Sequence, residues 1–246
     1  MEKIALVTGA AGGLGQAVSR KLAAAGWQLV LVSRDAARLR DAYGDKHLQI
    51  AADCSSVAGA RQVFELARAN GMQASALAHC VGNIRLGALH RMAEADFMDC
   101  LGANLISAFH TLAAFVGGLR DAKAAGAAVL VSSAAARIGT PNHEAVAAAK
   151  AGLEGLVRGA AATYASAGIR VNAVAPGIMD TPAAAGIIGG AAAREAAARQ
   201  YPLPGIGTPD ELADLMVWLL SEKAARVTGQ VWSLDGGFSS IRPLVK

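Results

Sequence analysis

The chain has 246 residues, a length that suits one α/β domain with a large core. Its net charge of +4 is small and evenly scattered without a basic stripe, so nucleic acid is not an expected partner. Hydrophobic residues make up 54% of the chain and aromatic residues only 4%, which predicts helices that pack closely on small side chains. We expect residues 1–246 to form a single domain.

The cysteines and the N-terminus predict a cytoplasmic protein without a membrane partner. Cys54, Cys80 and Cys100 do not have the spacing of metal ligands, so we expect reduced thiols and no metal site. The N-terminus has no apolar stretch of signal-peptide length before its first glycines. No uninterrupted apolar run reaches the ~18 residues of a membrane span.

Apolar, strand-like runs alternate with helix-like stretches along the chain. The runs are KIALVTG, WQLVLVSR, HLQIAADC, ALAHCVG, AAVLVSS, IRVNAVAPG and GQVWSLDGG. Because these runs are continuously apolar and do not alternate, they indicate a parallel sheet that helices cover on both faces. The expected fold class is α/β, with a Rossmann-type, doubly wound sheet of about seven parallel strands.

A glycine-rich turn, Thr8 to Gly15, separates the first strand-like run from a helical stretch. Glycines permit a tight turn and a close approach to a pyrophosphate, and the following helix offers free N–H groups to phosphates. Such turns also occur in α/β proteins that bind no nucleotide, but this position at the start of the chain favours nucleotide binding. The residues expected to contact the cofactor here are Gly9, Ala11, Gly13, Leu14 and Gly15.

The glycine spacing, G-x-x-x-G-x-G, departs from the common G-x-G-x-x-G and resembles the TGxxxGxG fingerprint of the short-chain dehydrogenase/reductase family. RVNAVAPGIMDTP and VTGQVWSLDGG look like later segments of the same family. The resemblance covers nearly the whole chain and is closest to ketoacyl-carrier-protein reductases. It implies an NAD(P)-dependent oxidoreductase that transfers hydride between the cofactor and a small carbonyl or alcohol substrate.

The end of the second strand-like run distinguishes NAD from NADP. A carboxylate there binds the ribose 2′-hydroxyl of NAD, whereas an arginine accommodates the 2′-phosphate of NADP. Ser33 and Arg34 occupy this stretch, so we expect NADP(H) to be preferred, with NAD(H) as an alternative. In the other interpretation, Arg34 is a solvated residue paired with Asp35. Gly12 stands where NADP-binding relatives often have a second basic residue, which argues against the preference.

The resemblance implies further cofactor contacts along the chain. Asp53 matches an aspartate that binds the adenine, and it also suits a helix N-cap. Residues 79–82, HCVG, stand where the family has NNAG, and we interpret His79 and Cys80 as structural. The segment from Pro176 matches the one that fixes the nicotinamide carboxamide. The contacts assigned in this way are Asp53, Cys54, Val81, Gly82, Pro176, Gly177, Ile178 and Thr181.

Hydride transfer to a carbonyl leaves a developing alkoxide, which needs a proton donor and hydrogen bonds. The family supplies a Tyr as the donor, a Ser, a Lys four residues after the Tyr, and an Asn. The resemblance implies that Asn104 organises a water-linked relay, that Ser133 holds the oxygen and that Lys150 binds the ribose. Val146 precedes Lys150 by four residues and follows Ser133 by thirteen, so a valine occupies the Tyr position.

A valine cannot donate a proton, so another donor is required if the chain is catalytic. His143 shares the face of Val146 if the helix has begun there, and its usual pKa of ~6.5 suits the task. Alternatively, Asn142 caps the helix and His143 is an ordinary first-turn residue. Ser132 or Ser133 acting through water is the other candidate.

Three functions therefore stay open at this stage. The first is an NADP-dependent reductase or dehydrogenase with an altered proton donor. The second is a catalytically impaired cofactor-binding protein with a regulatory or partner-subunit role. The third is different chemistry at the nicotinamide site.

The stretch AAAGIIGGAAAREAAARQYPLPG, which follows Pro182, is rich in glycine and alanine. It is typical of either a substrate lid over a weakly polar ligand or a segment without function. The resemblance also implies a homotetramer or homodimer with the helices of Asn104 and Lys150 at one interface. The small residues of AVAAAKAGLEGLVRGAAATYA suit such close helix–helix contact.

Overall fold

The computed structural model describes residues 3–242; residues 1–2 and 243–246, which the expected single domain includes, lie outside the described part. One seven-stranded sheet has the order β3-β2-β1-β4-β5-β6-β7, with every neighbouring pair parallel. The strands are β1 (Ile4–Thr8), β2 (Gln28–Ser33), β3 (Leu48–Ala51), β4 (Ala76–His79), β5 (Gly126–Val131), β6 (Ile169–Pro176) and β7 (Val231–Leu234). The predicted Rossmann-type, doubly wound fold is confirmed.

Helices cover both faces of this sheet. In residues 3–242 they are α1 (Gly13–Ala24), α2 (Ala36–Tyr43), α3 (Val57–Ala69), α4 (Glu94–Leu101), α5 (Ser107–Asp121), α6 (Glu144–Tyr164), α7 (Ala185–Ile188), α8 (Ala191–Ala198) and α9 (Pro209–Leu220). Side chains of α3, α5 and α6 pack on one face, and those of α1, α2 and α9 pack on the other.

The sheet separates two hydrophobic cores, because successive strand residues point to opposite faces. On β1, Ile4 and Leu6 belong to one core, whereas Ala5 and Val7 belong to the other. All five residues of β1 are buried. Burial on both faces is the reason why the strand-like runs are continuously apolar.

The helices α4 and α5 are joined by a π-helical turn, Gly102–Ile106, into one continuous helix, Glu94–Asp121. This 28-residue helix contains an 18-residue stretch with a mean hydropathy of 1.5, so it is long and apolar enough to cross a membrane by length and composition alone. In the fold, 44% of that apolar stretch is buried, and Leu112 and Phe115 lie in the core. A core helix passes the same test, so this is weak support for a membrane span.

The strand order reverses between β1 and β4. In open α/β sheets, ligands bind at this point. The glycine-rich turn comes at the end of β1, the HCVG segment begins with the last residue of β4, and the two serines of the VSS sequence follow β5. The fold therefore gathers most of the expected site residues at one edge of the sheet.

His79, the last residue of β4, is buried and joins three elements. Its Nδ1 lies 2.9 Å from the hydroxyl of Thr8, and its Nε2 lies 3.2 Å from the hydroxyl of Ser107. Ser107 donates its own proton to the carbonyl of Ala103 at 2.6 Å. The ring therefore donates from Nε2 and accepts from Thr8 at Nδ1, as a neutral imidazole does. His79 thus has the structural role predicted for it.

The neutral state of His79 predicts a pH dependence of stability. Burial, together with the nearby Lys150 charge, lowers the pKa of His79 to about 3. An unfolded histidine titrates at ~6.5, so only the unfolded state gains this proton as the pH falls from ~6.5 towards the folded pKa. We expect the free energy of unfolding to decrease in this range by up to ~1.4 kcal/mol per pH unit from this residue.

Urea unfolding of the wild type and of His79→Asn at several pH values measures this contribution. The asparagine has no proton to gain, so the variant should lose less stability between neutral and acidic pH. Equal losses in the two proteins would show that His79 is not held neutral.

Candidate functional site

The turn between β1 and α1 has the backbone of a phosphate-binding loop. Gly9 has φ +66°, in the left-handed region, and a Cβ there would lie 2.8 Å from the carbonyl oxygen of Cys80. A Cβ on Gly15 would collide with the carbonyl oxygen of Gly9. Gly12 is the N-cap of α1 and makes no side-chain cap, and the first turn has no acidic residue. The N–H groups at this helix end are therefore free to meet an anion.

Two side chains from α2 support this loop, and sequence analysis missed both. The hydroxyl of Tyr43 donates to the carbonyl of Ala10 at 2.7 Å, and the guanidinium of Arg38 donates to the carbonyl of Ala11 at 3.2 Å. Arg38 thus brings a positive charge to the loop. Arg38 is the third residue of α2, close after Arg34, and this second arginine near the end of β2 is the signal that sequence analysis could have used.

The end of β2 leaves Arg34 exposed. Asp35 is the N-cap of α2 and accepts from the N–H groups of Ala37 at 2.9 Å and Arg38 at 3.1 Å. Within residues 3–242, Arg34 forms no ion pair, so the alternative in which it pairs with Asp35 is wrong. The carboxylate caps the helix because it is the first side chain beyond the strand that can reach these N–H groups.

Asp53 follows β3 but does not cap α3. Its Oδ1 accepts from the N–H of Ser55 at 2.9 Å and from the hydroxyl of Ser55 at 2.7 Å. The Ser55 N–H is the main reason why the pKa of Asp53 lies below its ordinary value. The N-cap is Ser56, whose hydroxyl accepts from Gly59 at 3.0 Å. The N-cap interpretation of Asp53 is therefore wrong.

The neighbouring Cys54 is buried in the core, and burial raises the pKa of its thiol to about 11. Only its backbone can therefore face a ligand. The thiol of Cys80 is comparable, since burial raises its pKa to about 12. Both thiols are neutral near pH 7, as expected of structural cysteines.

The segment after β6 closes over the phosphate loop. A Cβ on Gly13 would lie 3.3 Å from Cδ of Pro182 and 3.4 Å from Cγ2 of Thr181. Ile178, earlier in the segment, donates its N–H to the hydroxyl of Tyr201 at 2.7 Å. A carboxamide bound at Ile178 would contact the carbonyl oxygen of Ile178, or it would displace the Tyr201 hydroxyl from the N–H of Ile178. Sequence analysis missed Tyr201.

The lid stretch is helical. It consists of a short turn, Pro182–Ala184, followed by α7 and α8. Arg194 on α8 binds Asp180 with two hydrogen bonds of 2.8 and 2.7 Å. Ala184, Ile188 and Ala197 of the same stretch are buried together in a small apolar cluster. Alanine, a strong helix former, explains this outcome despite the glycines.

Asn104 lies in the π-helical turn and is fully buried. Its Nδ2 donates to the carbonyls of Cys100 at 2.9 Å and Asn83 at 3.0 Å. Its Oδ1 has no partner among the described residues. Since π-helical turns are frequent at functional sites, and a buried oxygen without a partner is costly, this atom marks a place for water or ligand.

Lys150 on α6 is buried and lies close to Asn104. Its ammonium donates to the carbonyl of Val131 at 2.7 Å. A Cβ on Gly82 would lie 2.7 Å from Asn104 Oδ1 and 3.4 Å from Lys150 Nζ. Burial lowers the pKa of Lys150 to about 8. The structure thus brings Gly82, Asn104 and Lys150 together.

The two serines after β5 differ. The hydroxyl of Ser132 is buried and donates to the carboxylate of Glu154 at 2.9 Å. Ser133 is half-buried, and its hydroxyl accepts from the N–H of Ala135 at 3.2 Å. The proton of Ser133 is therefore available to a ligand, whereas that of Ser132 is engaged.

The helix α6 begins at Glu144, so His143 is the N-cap residue and lies outside the helix. Asn142 has φ +62° and does not cap α6, which corrects the alternative interpretation. The Nδ1 of His143 lies 2.8 Å from the carbonyl of Pro141. His143 has no hydrogen bond to Ser133 or Lys150 within the described chain.

Val146 is 5% exposed and packs in a small apolar cluster. The cluster members are Cys100 and Ala145, with Met92 and Phe97 against them. The side chain therefore contributes packing to the site and no polar atom.

Comparisons with known proteins identify the family. A sequence profile described as enoyl-(acyl carrier protein) reductase matches residues 9–239. The chain is 36% identical to cis-4-hydroxycyclohexanecarboxylate dehydrogenase of Sinomonas cyclohexanicum, over 98% of both proteins. It is 32% identical to 3-oxoacyl-(acyl-carrier-protein) reductase FabG of Pseudomonas aeruginosa, over 96% of both. The crystal structure of an oxidoreductase of the short-chain dehydrogenase/reductase family from Burkholderia thailandensis has a TM-score of 0.87 and 30% identity, covering 97% of this chain and 93% of that one. The chain belongs to this family.

Membership of the short-chain dehydrogenase/reductase family makes the protein an NAD(P)-dependent oxidoreductase. The predicted family is confirmed. The matched region begins at Gly9 and ends beyond β7, so it contains every residue assigned to the site. The residues also fit a dinucleotide, because the loop leaves free N–H groups at α1 and Asn104 offers an unpartnered oxygen.

The loop predicts different effects for two helical glycines. Gly15→Ala places a Cβ against the carbonyl of Gly9, so we expect a loss of about 1–3 kcal/mol in the free energy of unfolding and weaker NADPH binding. Gly117→Ala on α5 meets no atom within 4 Å, so it should stabilise the protein by about 0.5–1 kcal/mol. Urea unfolding and NADPH fluorescence titration of both variants measure this contrast, and equal effects would contradict the loop geometry.

Proposed function

We propose that the protein is an NADP(H)-dependent reductase or dehydrogenase that acts on a carbonyl or alcohol group of a small molecule without a catalytic tyrosine. The convergence of Asn104 and Lys150 at Gly82, beside the phosphate loop, is the observation that carries this proposal. When bound, the cofactor supplies or accepts the hydride. Valine at position 146 is the feature that makes the site atypical, and another group supplies the proton.

We assign the cofactor contacts to the edge of the sheet where the loop, β2 and β4 end. Arg34 is exposed and unpaired within residues 3–242, and Arg38 adds a second positive charge at the loop, which supports NADP(H) over NAD(H). The contacts assigned to the dinucleotide are Gly9, Ala11, Gly13, Leu14, Gly15, Ser33, Arg34, Asp53, Cys54, Val81, Gly82, Lys150, Pro176, Gly177, Ile178 and Thr181.

The catalytic roles follow from the hydrogen bonds that remain available. Ser133 has a free hydroxyl proton for the substrate oxygen, and Asn104 has a free carbonyl oxygen for a water. Lys150 holds the ribose with one of the two N–H groups that Val131 does not use. His143 is the proton donor proposed from sequence, although its hydrogen bond to Pro141 holds the ring outside α6.

The names of the relatives support the substrate class. One relative is a dehydrogenase of a hydroxycyclohexane acid, and another is a reductase of a 3-oxoacyl group. Both names describe the interconversion of a ketone and a secondary alcohol. The apolar lid cluster of Ala184, Ile188 and Ala197 favours a weakly polar substrate of that kind.

We further propose a cytoplasmic homotetramer or homodimer built from one domain of residues 1–246, with no nucleic-acid or membrane partner. Large apolar side chains are exposed along the helix that carries Asn104, with Met98 56%, Ile106 39% and Phe109 50% exposed. Gly155 and Gly159 leave the exposed side of α6 without bulk. Such surfaces suit close contact with a second copy.

The cofactor preference predicts the effect of a charge reversal. Arg34→Asp removes the partner of a 2′-phosphate and adds a repelling carboxylate, so NADPH affinity should fall by about 10–100-fold, with NADH affinity much less affected. Arg40 is likewise exposed but lies within α2, so Arg40→Asp is the matched control and should leave both affinities unchanged. Fluorescence titration of both cofactors measures this; equal losses for NADPH and NADH would contradict the assignment.

The substitution Val146→Tyr tests whether a hydroxyl at this position contributes to turnover. Val146→Tyr should turn over a ketone at least as fast as the wild type, which already oxidises NADPH. Val146→Phe fills the same space without a hydroxyl, so it separates proton donation from overpacking of the buried position. NADPH loss with a panel of ketones measures all three proteins. Tight NADPH binding by a silent wild type, with turnover only in Val146→Tyr, would instead support a cofactor-binding role.

A further inference from the structure

Lys150 and Asn104 leave hydrogen-bonding capacity unused at the centre of the site. An ammonium has three donors, and Lys150 uses one of them on the carbonyl of Val131 at 2.7 Å. Asn104 Oδ1 accepts no hydrogen bond from residues 3–242. Both atoms lie within 3.4 Å of the point where a Cβ on Gly82 would stand. The ammonium of Lys150 and the amide oxygen of Asn104 therefore lie next to each other against the backbone of Gly82.

Val146 and Lys150 lie on the same face of α6, and of the two only Lys150 has a polar side-chain group. Residues four apart lie on the same face of a helix, so the two side chains are neighbours. Val146 is buried against Cys100, Met92 and Phe97 and offers no hydrogen bond. Gly82, whose backbone lies beside the Lys150 ammonium, is exposed to solvent.

We propose that Lys150 itself donates the proton in carbonyl reduction, an inference that rests on the proposed reductase activity. When hydride reaches the carbonyl carbon, the π electron pair of the carbonyl moves to its oxygen. One N–H bond of Lys150 breaks, its electron pair stays on nitrogen, and the proton forms an O–H bond with the oxygen through one water. The neutral amine then regains a proton from solvent by way of the water on Asn104 Oδ1.

The surroundings of Lys150 suit an acid that works near neutral pH. Burial lowers the pKa of Lys150 to about 8, which makes its ammonium a stronger acid than an exposed lysine. The groups that face it are neutral: burial raises the pKa of the thiols of Cys100 and Cys80, and His79 is an uncharged imidazole. Glu154, one turn later on α6, is engaged by other side chains, and no carboxylate pairs with Lys150 within the described chain.

A substitution that keeps the positive charge at position 150 but cannot release a proton tests the proposal. Lys150→Arg retains a cation with several donors, but a guanidinium does not deprotonate in proteins. We expect NADPH affinity within a few-fold of the wild type and a loss of turnover of ~10²–10⁴-fold. Lys223→Arg, at an exposed position far from the site in the sequence, is the matched control and should turn over as the wild type does.

A second readout does not depend on turnover. In protein labelled with ¹³C at lysine Cε, without cofactor, the signal that Lys150→Arg removes should titrate with a midpoint near the pKa of about 8, well below the other lysines. In the wild type, kcat should fall as the pH rises through the same value, because the protonated form is the donor.

Each result separates this proposal from the proposed function. If the wild type binds NADPH but reduces no carbonyl, the proposed function fails. If the wild type turns over and Lys150→Arg is equally active, Lys150 is not the donor and the reductase assignment stands. Loss of turnover in His143→Gln, with turnover retained in Lys150→Arg, would overturn the proposal in favour of His143. A Lys150 midpoint above 10 would also overturn it.

Discussion

The close approach of backbone to backbone at the carboxyl edge of the sheet is the constraint on which the site depends. Gly9 lies against the carbonyl of Cys80, and Gly15 lies against that of Gly9. Gly82 lies against the side chains of Asn104 and Lys150. At each place a Cβ would fill the space that a ligand or a neighbouring segment needs. The parallel pairing of β1 with β4 brings these three contacts together, and His79 fixes the spacing from within.

A buried cation with no carboxylate partner among residues 3–242 is the second feature of the site. Desolvation disfavours the charged form of Lys150, and one backbone carbonyl compensates for only part of that cost. A lysine in this state gives up its proton more readily than an exposed one. Under the proposed assignment, Lys150 is the group near Val146 that can exchange a proton at the centre of the site.

Much of this architecture could be predicted from sequence, because the signals are local. Seven continuously apolar runs indicated the parallel sheet, and the glycine spacing indicated the loop. The errors occurred where several residues can satisfy the same local rule: Asp53 and Ser56 both suit an N-cap, and the backbone geometry selects Ser56. Tyr201 and Ile178 are 23 residues apart and meet only through the tertiary fold, so no local pattern shows their contact.

The central claim is that a chain with valine at position 146 still transfers hydride to a carbonyl. The most direct measurement mixes the wild-type protein with NADPH and a panel of ketones in a stopped-flow instrument, in H₂O and in D₂O. We predict a loss of NADPH absorbance with at least one ketone, and a slower loss in D₂O because an exchangeable proton moves in the reaction. Saturable NADPH binding without any loss of absorbance, for every ketone, would contradict the claim.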